Sequence, residues 1–209
     1  MQLYYAPGSA SFVVHWLLIE LNAPHELIPV DLQNKANKSA EYLKLNPNGV
    51  VPTLIIDGKA IYESPALVMH LADLYPEAGL APAIGTLERA QYYQWMFNLV
   101  NPLQSAMRHW WYPAEAAGEA NSEAAKLAVR ERVENCWNRL DSHLAENGPY
   151  LLGEKISAAD FMLTMLMRWT RNMPKPGTDW PQLNALVSKM KARPSFKTLY
   201  EREGLTEWL

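Results

Sequence analysis

Two short runs carry residue types and spacings suited to gripping a peptide. The first is Val50-Val51-Pro52-Thr53-Leu54, which reads as a strand entered through proline. Proline cannot donate a ladder hydrogen bond, so it belongs at a strand's first position or on an edge. An X-Pro bond there can be cis at a cost of about 0.5–1 kcal/mol. A cis bond would turn the Val51 N–H and C=O outward, ready to pair with an extended peptide. The second run is Glu63-Ser64-Pro65, which reads as a helix start with Ser64 at the N-cap and Pro65 at N1. A helix N-terminus offers free N–H groups and a positive dipole end to a carboxylate. A backbone clamp beside a carboxylate pocket suits a small acidic peptide.

The elements that must position these runs follow from pattern and punctuation. Residues 2–5 form a strand candidate, and Pro7-Gly8-Ser9 is a loop and helix-start signal. Phe12 to Leu21 is apolar almost all round apart from His15 and Glu20, as expected of a helix buried on most sides. Leu27 to Val30 reads as a second strand, and Ser39 to Leu45 as a short helix stopped by Asn46-Pro47-Asn48-Gly49. Thr53 to Ile56, the turn Asp57-Gly58 and Ala60 to Tyr62 make a hairpin, and Pro65 to Leu74 closes the unit as a helix. That order implies a mixed four-stranded sheet with helices on its faces.

Residues 78–86 read as a linker, and 87–209 as all-helical. Leu87 to Tyr112 has the pattern of one long helix bent near Pro102. Positions 129, 133, 136/137, 140 and 144 make a helical apolar face. Ser157-Ala-Ala-Asp160 is a capping-box-like start to Phe161–Trp169, a helix apolar on every side. Leu183 to Met190 and Phe196 to Glu203 are shorter end helices.

Composition narrows the function classes. The net charge is −3 with no basic block, which speaks against nucleic-acid binding. No run of 18 or more apolar residues exists to form a membrane span, and no basic n-region marks a signal peptide. The single cysteine, Cys136, cannot form an internal disulfide, which fits a reducing cytosol. Eight Trp and nine Met suggest adaptable aromatic surfaces in the helical part.

Taken in order, Val51-Pro52, Glu63-Ser64 and Ser157-Ala-Ala-Asp160, with this succession of elements, resemble the soluble glutathione transferases over the whole chain. The resemblance implies a thioredoxin-like domain at 1–77, an α/β unit with a mixed four-stranded sheet, followed by an all-α domain at 87–209. The N-terminal segment Leu3-Tyr4-Tyr5-Ala6-Pro7-Gly8-Ser9-Ala10-Ser11 looks like the bacterial beta-type pattern, but Ala10 stands where that type has cysteine. It also looks like the delta-type pattern, whose catalytic serine maps onto Ser9. Val13-Val14-His15 stands where the zeta-type isomerases carry an arginine-bearing turn, which counts against isomerase chemistry.

The implied chemistry is attack of the glutathione thiolate on a small apolar electrophile, with glutathione as co-substrate and no metal. A free thiol has a pKa of about 8.5, and lowering it by about two units takes roughly 2.7 kcal/mol of preferential thiolate stabilisation. A donated hydroxyl hydrogen bond and a helix N-terminus supply that order of effect. Ser9 is the first choice of donor, against a bland role as a helix cap. Ser11 and Tyr5 are its rivals, Tyr5 having core packing as its alternative. Glu63 and Ser64 are expected to hold the γ-glutamyl end, and Val51, ahead of Pro52, to pair with the cysteinyl backbone as an added strand. Lys35 is the choice for the glycyl carboxylate over Asn37, Lys38 and Asn48.

The electrophile is expected between the domains against Arg108-His109-Trp110-Trp111-Tyr112, with Arg108, His109 and Trp111 as its contacts. The bland reading there is helix-end packing. Cys136 reads as a small buried hydrophobe, and Asp160 as a structural cap. The alternatives to conjugation are another glutathione-dependent enzyme, such as a disulfide-bond reductase or peroxidase, and a non-catalytic transferase-like binding protein. The resemblance further implies a cytoplasmic homodimer, with no nucleic-acid or membrane partner.

Overall fold

The computed structural model describes residues 1–208, which form two compact units: Met1–Ala81 with Lys191–Glu207, and Pro82–Met190 with Trp208. In the first unit, strands β1 (Gln2–Tyr5), β2 (Glu26–Pro29), β3 (Thr53–Ile56) and β4 (Lys59–Tyr62) form one sheet in the order β2-β1-β3-β4. β1 and β2 are parallel, and β3 runs antiparallel to both β1 and β4. The β3–β4 turn works because Asp57 and Gly58 both adopt positive φ, 49° and 76°, as a tight two-residue hairpin requires.

Helix α1 (Phe12–Glu20) supplies the centre of this unit, with Phe12 through Leu18 all buried, His15 included. α2 (Ala40–Leu45) is capped by the Ser39 hydroxyl, which accepts from the Tyr42 N–H. α3 (Ser64–Leu74) buries Leu67, Val68 and Leu71. The expected N-cap shifts by one residue: Glu63, not Ser64, caps α3, at φ 76° and without a side-chain hydrogen bond, so Ser64 is its first helical residue.

The second unit begins with α4 (Leu87–Asn98), which runs through a π-helical stretch, Leu99–Gln104, into α5 (Ser105–Trp111). Pro102 lies inside that stretch; it has no N–H and crowds the preceding turn, so the regular ladder is interrupted where the sequence places the bend. A short α6 (Ala114–Ala117), for which the pattern has no signal, precedes α7 (Ser122–Asn147). α7 turns Val133, Cys136, Trp137, Leu140 and Leu144 inward, with Val129 half-buried. α8 (Ala158–Trp169) is buried from Ala158 to Arg168, and α9 (Pro181–Lys191) follows. No helix among the described residues is long and apolar enough to cross a membrane.

The last helix, α10 (Pro194–Glu203), packs with the first unit, although the sequence reading runs the helical domain through to 209. The reason is aromatic. Phe196 and Tyr200 cover α1, with ring centroids at 5.1 Å for Trp16–Phe196 and 6.0 Å for Phe12–Tyr200. The Trp16 indole N–H donates to the Ser195 hydroxyl at 2.8 Å, and Glu20 takes both Arg193 and Ser195.

Candidate active site

Sheet register explains how distant residues come to one place. Tyr4, Thr53 and Tyr62 stand in a row across β1, β3 and β4. The chain leaves β1 just beyond Tyr4, enters β3 just before Thr53 and leaves β4 at Tyr62. Because β3 runs opposite to the other two, all three crossings lie at the same end of the sheet. The segments carrying Ser9, Val51 and Ser64 therefore meet the sheet at one end. β2 is parallel to β1, so the loop carrying Lys35 departs from that end too. Ala6, Val30, Tyr42 and Val51 share one buried apolar cluster, which fastens the loop after β1 to the segment before β3.

The loop from Ala6 to Ser11 is tied by its two serines. The Ser9 hydroxyl donates to the Ala6 carbonyl at 2.7 Å and lies 2.9 Å from the Ser11 hydroxyl. Ser11 accepts from the Ala6 N–H at 3.1 Å and is fully buried, whereas Ser9 is half-buried. Ser11 stands at the N-cap position of α1, and no side chain caps the helix, so neither serine serves as a side-chain N-cap. Of the two hydroxyls, that of Ser9 is the more exposed, and it also accepts from the Ser11 N–H at 3.3 Å. Tyr5 is half-buried at the end of β1, its ring 5.7 Å from that of His15.

One link in this loop has no counterpart in the sequence reading. Glu203 of α10, buried, accepts from the Gly8 N–H at 2.7 Å through one oxygen and pairs with His15 Nδ1 at 2.8 Å through the other. The only local signal is that His15 interrupts an apolar helix. Its partner lies 188 residues away, and no periodicity connects them.

At the clamp, the Val51–Pro52 peptide is cis and Val51 is 7% exposed. No hydrogen bond among the described residues takes the Val51 N–H or C=O. At the start of α3, the first intrahelical bond is Leu67 N–H to Glu63 C=O at 3.0 Å, which leaves the Ser64 and Ala66 N–H groups open. Ser64 is buried at that position, and Glu63 is exposed with its carboxylate unengaged. A non-glycine residue at φ 76° costs on the order of 1–3 kcal/mol, strain that the surrounding structure must hold in place.

The loop cations divide. Lys38 Nζ donates to the Asn48 carbonyl at 3.2 Å and Asn37 Nδ2 to the Gly49 carbonyl at 2.7 Å. Both are occupied in holding the loop, whereas Lys35 is exposed and its ammonium meets no partner among the described residues. In the second unit, Arg108 is exposed and pairs with Glu115 at 2.8 Å, its guanidinium 5.2 Å from the Tyr112 ring centre. His109 is half-buried with an unpartnered Nδ1, and Trp111 is 47% exposed. Cys136 is buried against Arg139, and burial pushes its thiol up from the usual range. Among the described residues no group of three or more His, Cys, Asp or Glu could hold a metal ion.

The family model described as the N-terminal domain of glutathione S-transferase matches residues 3–79, and the corresponding C-terminal domain matches residues 103–203. Glutathione S-transferase GST-4.5 of Xanthomonas campestris pv. campestris is 29% identical over 98% of this chain and 100% of its own length. A solved ternary complex of BphK, a bacterial GST, is 33% identical with a TM-score of 0.87, covering 98% of this chain and 100% of that one. A sphingomonad glutathione S-transferase complexed with glutathione is 31% identical with a TM-score of 0.86, covering 99% and 100%.

Proposed function

We propose that this chain, which belongs to the glutathione S-transferase family, binds glutathione at the end of the sheet described above and activates its thiol through Ser9. The observation that carries the reading is the convergence there of open polar groups. These are the unengaged N–H and C=O of Val51 and the buried Ser64 at an uncapped helix start, beside them the half-buried Ser9 hydroxyl, which is held by the Ala6 carbonyl. The γ-glutamyl carboxylate rests on the Ser64 N–H and hydroxyl, with the α-ammonium on Glu63. The cysteinyl backbone pairs with Val51 as an added strand. Lys35 meets the glycyl carboxylate.

This alignment brings the cysteinyl sulfur to Ser9, whose O–H turns from Ala6 to the thiolate. Stabilising the thiolate by roughly 2.7 kcal/mol lowers its pKa by about two units and makes it the dominant species at neutral pH. It then attacks an electrophilic carbon: a C–S bond forms, the leaving group departs with its electron pair, and the thiol proton passes to water. Ser11, buried under the loop, shapes Ser9 rather than meeting the sulfur, and Tyr5 packs beside His15. His109 and Trp111 contribute an apolar, partly polar surface for the electrophile, while Arg108 is spent on Glu115. The active form is a cytoplasmic homodimer.

Calorimetric titration with glutathione, together with product analysis after incubation with an aryl halide, tests this reading. The wild type is expected to bind glutathione and release the thioether. Ser64→Ala is expected to weaken binding about tenfold, the loss of roughly 1.4 kcal/mol from a hydrogen bond to a charged group. A folded wild type that neither binds glutathione nor forms thioether contradicts the reading.

A further inference from the structure

The segment that enters the clamp is held by a set of contacts that binding by the main chain does not itself require. Three successive carbonyls, those of Asn48, Gly49 and Val50, each accept from a side chain of the preceding helical region. Lys38 takes the first, Asn37 the second, and Tyr42 with Asn46 the third. The Val50 carbonyl receives the Tyr42 hydroxyl at 2.7 Å and Asn46 Nδ2 at 2.8 Å. The Tyr42 and Thr53 hydroxyls lie 2.9 Å apart, and Asn46 Nδ2 also reaches Thr53 Oγ1 at 3.3 Å.

Proton bookkeeping allows one consistent arrangement. Tyr42 gives its proton to Val50, Thr53 gives its own to Tyr42, and the two Asn46 N–H bonds serve Val50 and Thr53. Every donor is used. Asn46 Oδ1 accepts the Asn48 N–H at 3.1 Å. Tyr42, Asn46 and Thr53 are all buried. A fully satisfied buried network of this kind rigidifies what it holds. The packing around the segment is equally tight. A Cβ at Gly49, whose φ is +58°, would lie 2.7 Å from Lys38 Nζ and 2.9 Å from the Asn37 carbonyl. Against this, the N–H and C=O of the very next residue, Val51, are unengaged. The network stops one residue short of the groups proposed to meet the ligand.

We propose that Tyr42, Asn46 and Thr53 are positioning residues that fix the Val50 carbonyl and thereby hold the Val51 N–H and C=O in register for the cysteinyl backbone; this rests on the glutathione site proposed above. A ligand pairing with Val51 then meets a strand already ordered, and the entropy of ordering it is not charged to binding. The effect falls on affinity for glutathione, and the step at sulfur is left to Ser9.

Tyr42→Phe removes one donor to Val50 and keeps the ring that packs in the Ala6–Val30–Val51 cluster. Thr53→Val keeps shape and removes the donor to Tyr42. The experiment measures the Kd of glutathione and of its analogue methylated on the cysteinyl backbone nitrogen, together with KM, kcat and melting temperature. The expected result is a three- to tenfold rise in the Kd and KM of glutathione for Tyr42→Phe, with a smaller rise for Thr53→Val. The change in kcat is expected to be less than that in KM. The methylated analogue, unable to pair fully with Val51, is expected to bind the wild type weakly and Tyr42→Phe with no further loss.

Equal weakening of glutathione and analogue by Tyr42→Phe would show a general structural role and overturn the inference, as would unchanged glutathione binding. Failure of Tyr42→Phe to fold passes the same comparison to Thr53→Val. Absence of glutathione binding by the folded wild type defeats the underlying site, and the inference with it.

Discussion

Helices α1 and α8 are the central helices of their units, and they begin in opposite ways. Both are buried nearly all round. α8 closes its own start. The Asp160 carboxylate accepts from the Ser157 N–H at 2.7 Å, the Ser157 hydroxyl at 3.0 Å and the Leu151 N–H at 2.9 Å. α1 has no side-chain cap, and the serines before it bond to Ala6 and to each other. α3 shares the open pattern, with a strained Glu63 where a capping side chain would stand. A capping box spends its polar groups on the fold. At α1 the serine hydroxyls hold the preceding loop and leave the helix start itself without a side-chain cap. The same residue type, serine before a buried helix, thus closes a capping box in one unit and ties a loop in the other, where Ser9 is the proposed thiolate donor.

The largest effect expected from breaking this contrast is at Ser9. Ser9→Ala is expected to lower kcat/KM at neutral pH by about 10–100-fold, the rate equivalent of roughly 1.4–2.7 kcal/mol. Its melting temperature is expected to stay within a few degrees of wild type, since Ser11 still ties the loop to Ala6. Asp160→Ala is expected to do the reverse. It strands two buried N–H groups and is expected to cost about 2–5 kcal/mol in denaturant unfolding, with the pKa of bound glutathione unchanged.

A pH series sharpens the same comparison. Burial pushes the Asp160 carboxyl up to about 6, so the native state holds its proton more tightly than the unfolded chain does. The stability that this group contributes is then fully present below about pH 4 and lost as pH rises through about 6, a swing of roughly 3 kcal/mol. Wild type minus Asp160→Asn, measured by urea unfolding at several pH values, is expected to show that fall. A flat difference would place the carboxyl near its ordinary range. The smallest effect is expected at Cys136. Cys136→Ala removes a buried thiol of α7 that the proposed chemistry does not use, and conjugation rate is expected to be unchanged within twofold, with a stability loss of about 1 kcal/mol.

The parts of this contrast that were legible in the sequence are the local ones. Asp57-Gly58, Asn46-Pro47-Asn48-Gly49 and Ser157-Ala-Ala-Asp160 each encode a backbone conformation within a few residues, and the structure contains the hairpin, the helix stop and the capping box there. The apolar spacing along 133–144 marks a helix face that is buried. The first unit's mixed sheet follows from strand order and connection length.

What escaped is set by partners far apart in the chain. Glu203 joins Gly8 and His15, and α10 returns to α1 through Phe196 and Tyr200, without any local pattern to announce it. The Tyr42–Asn46–Thr53 network is made of ordinary helix, turn and strand residues whose hydroxyl and amide directions depend on packing. The N-cap of α3 shifted to Glu63 because its backbone adopts a positive φ that residue type does not disclose.

Ser9, before the uncapped start of α1, is proposed to stabilise the thiolate of bound glutathione. The measurement that tests it most directly is the ultraviolet thiolate band of bound glutathione as a function of pH, for wild type and Ser9→Ala. The expected wild-type midpoint lies about two units below the free thiol value of about 8.5 and moves back toward that value in Ser9→Ala. A depressed midpoint that Ser9→Ala leaves in place would contradict it and move the donor to Ser11 or Tyr5.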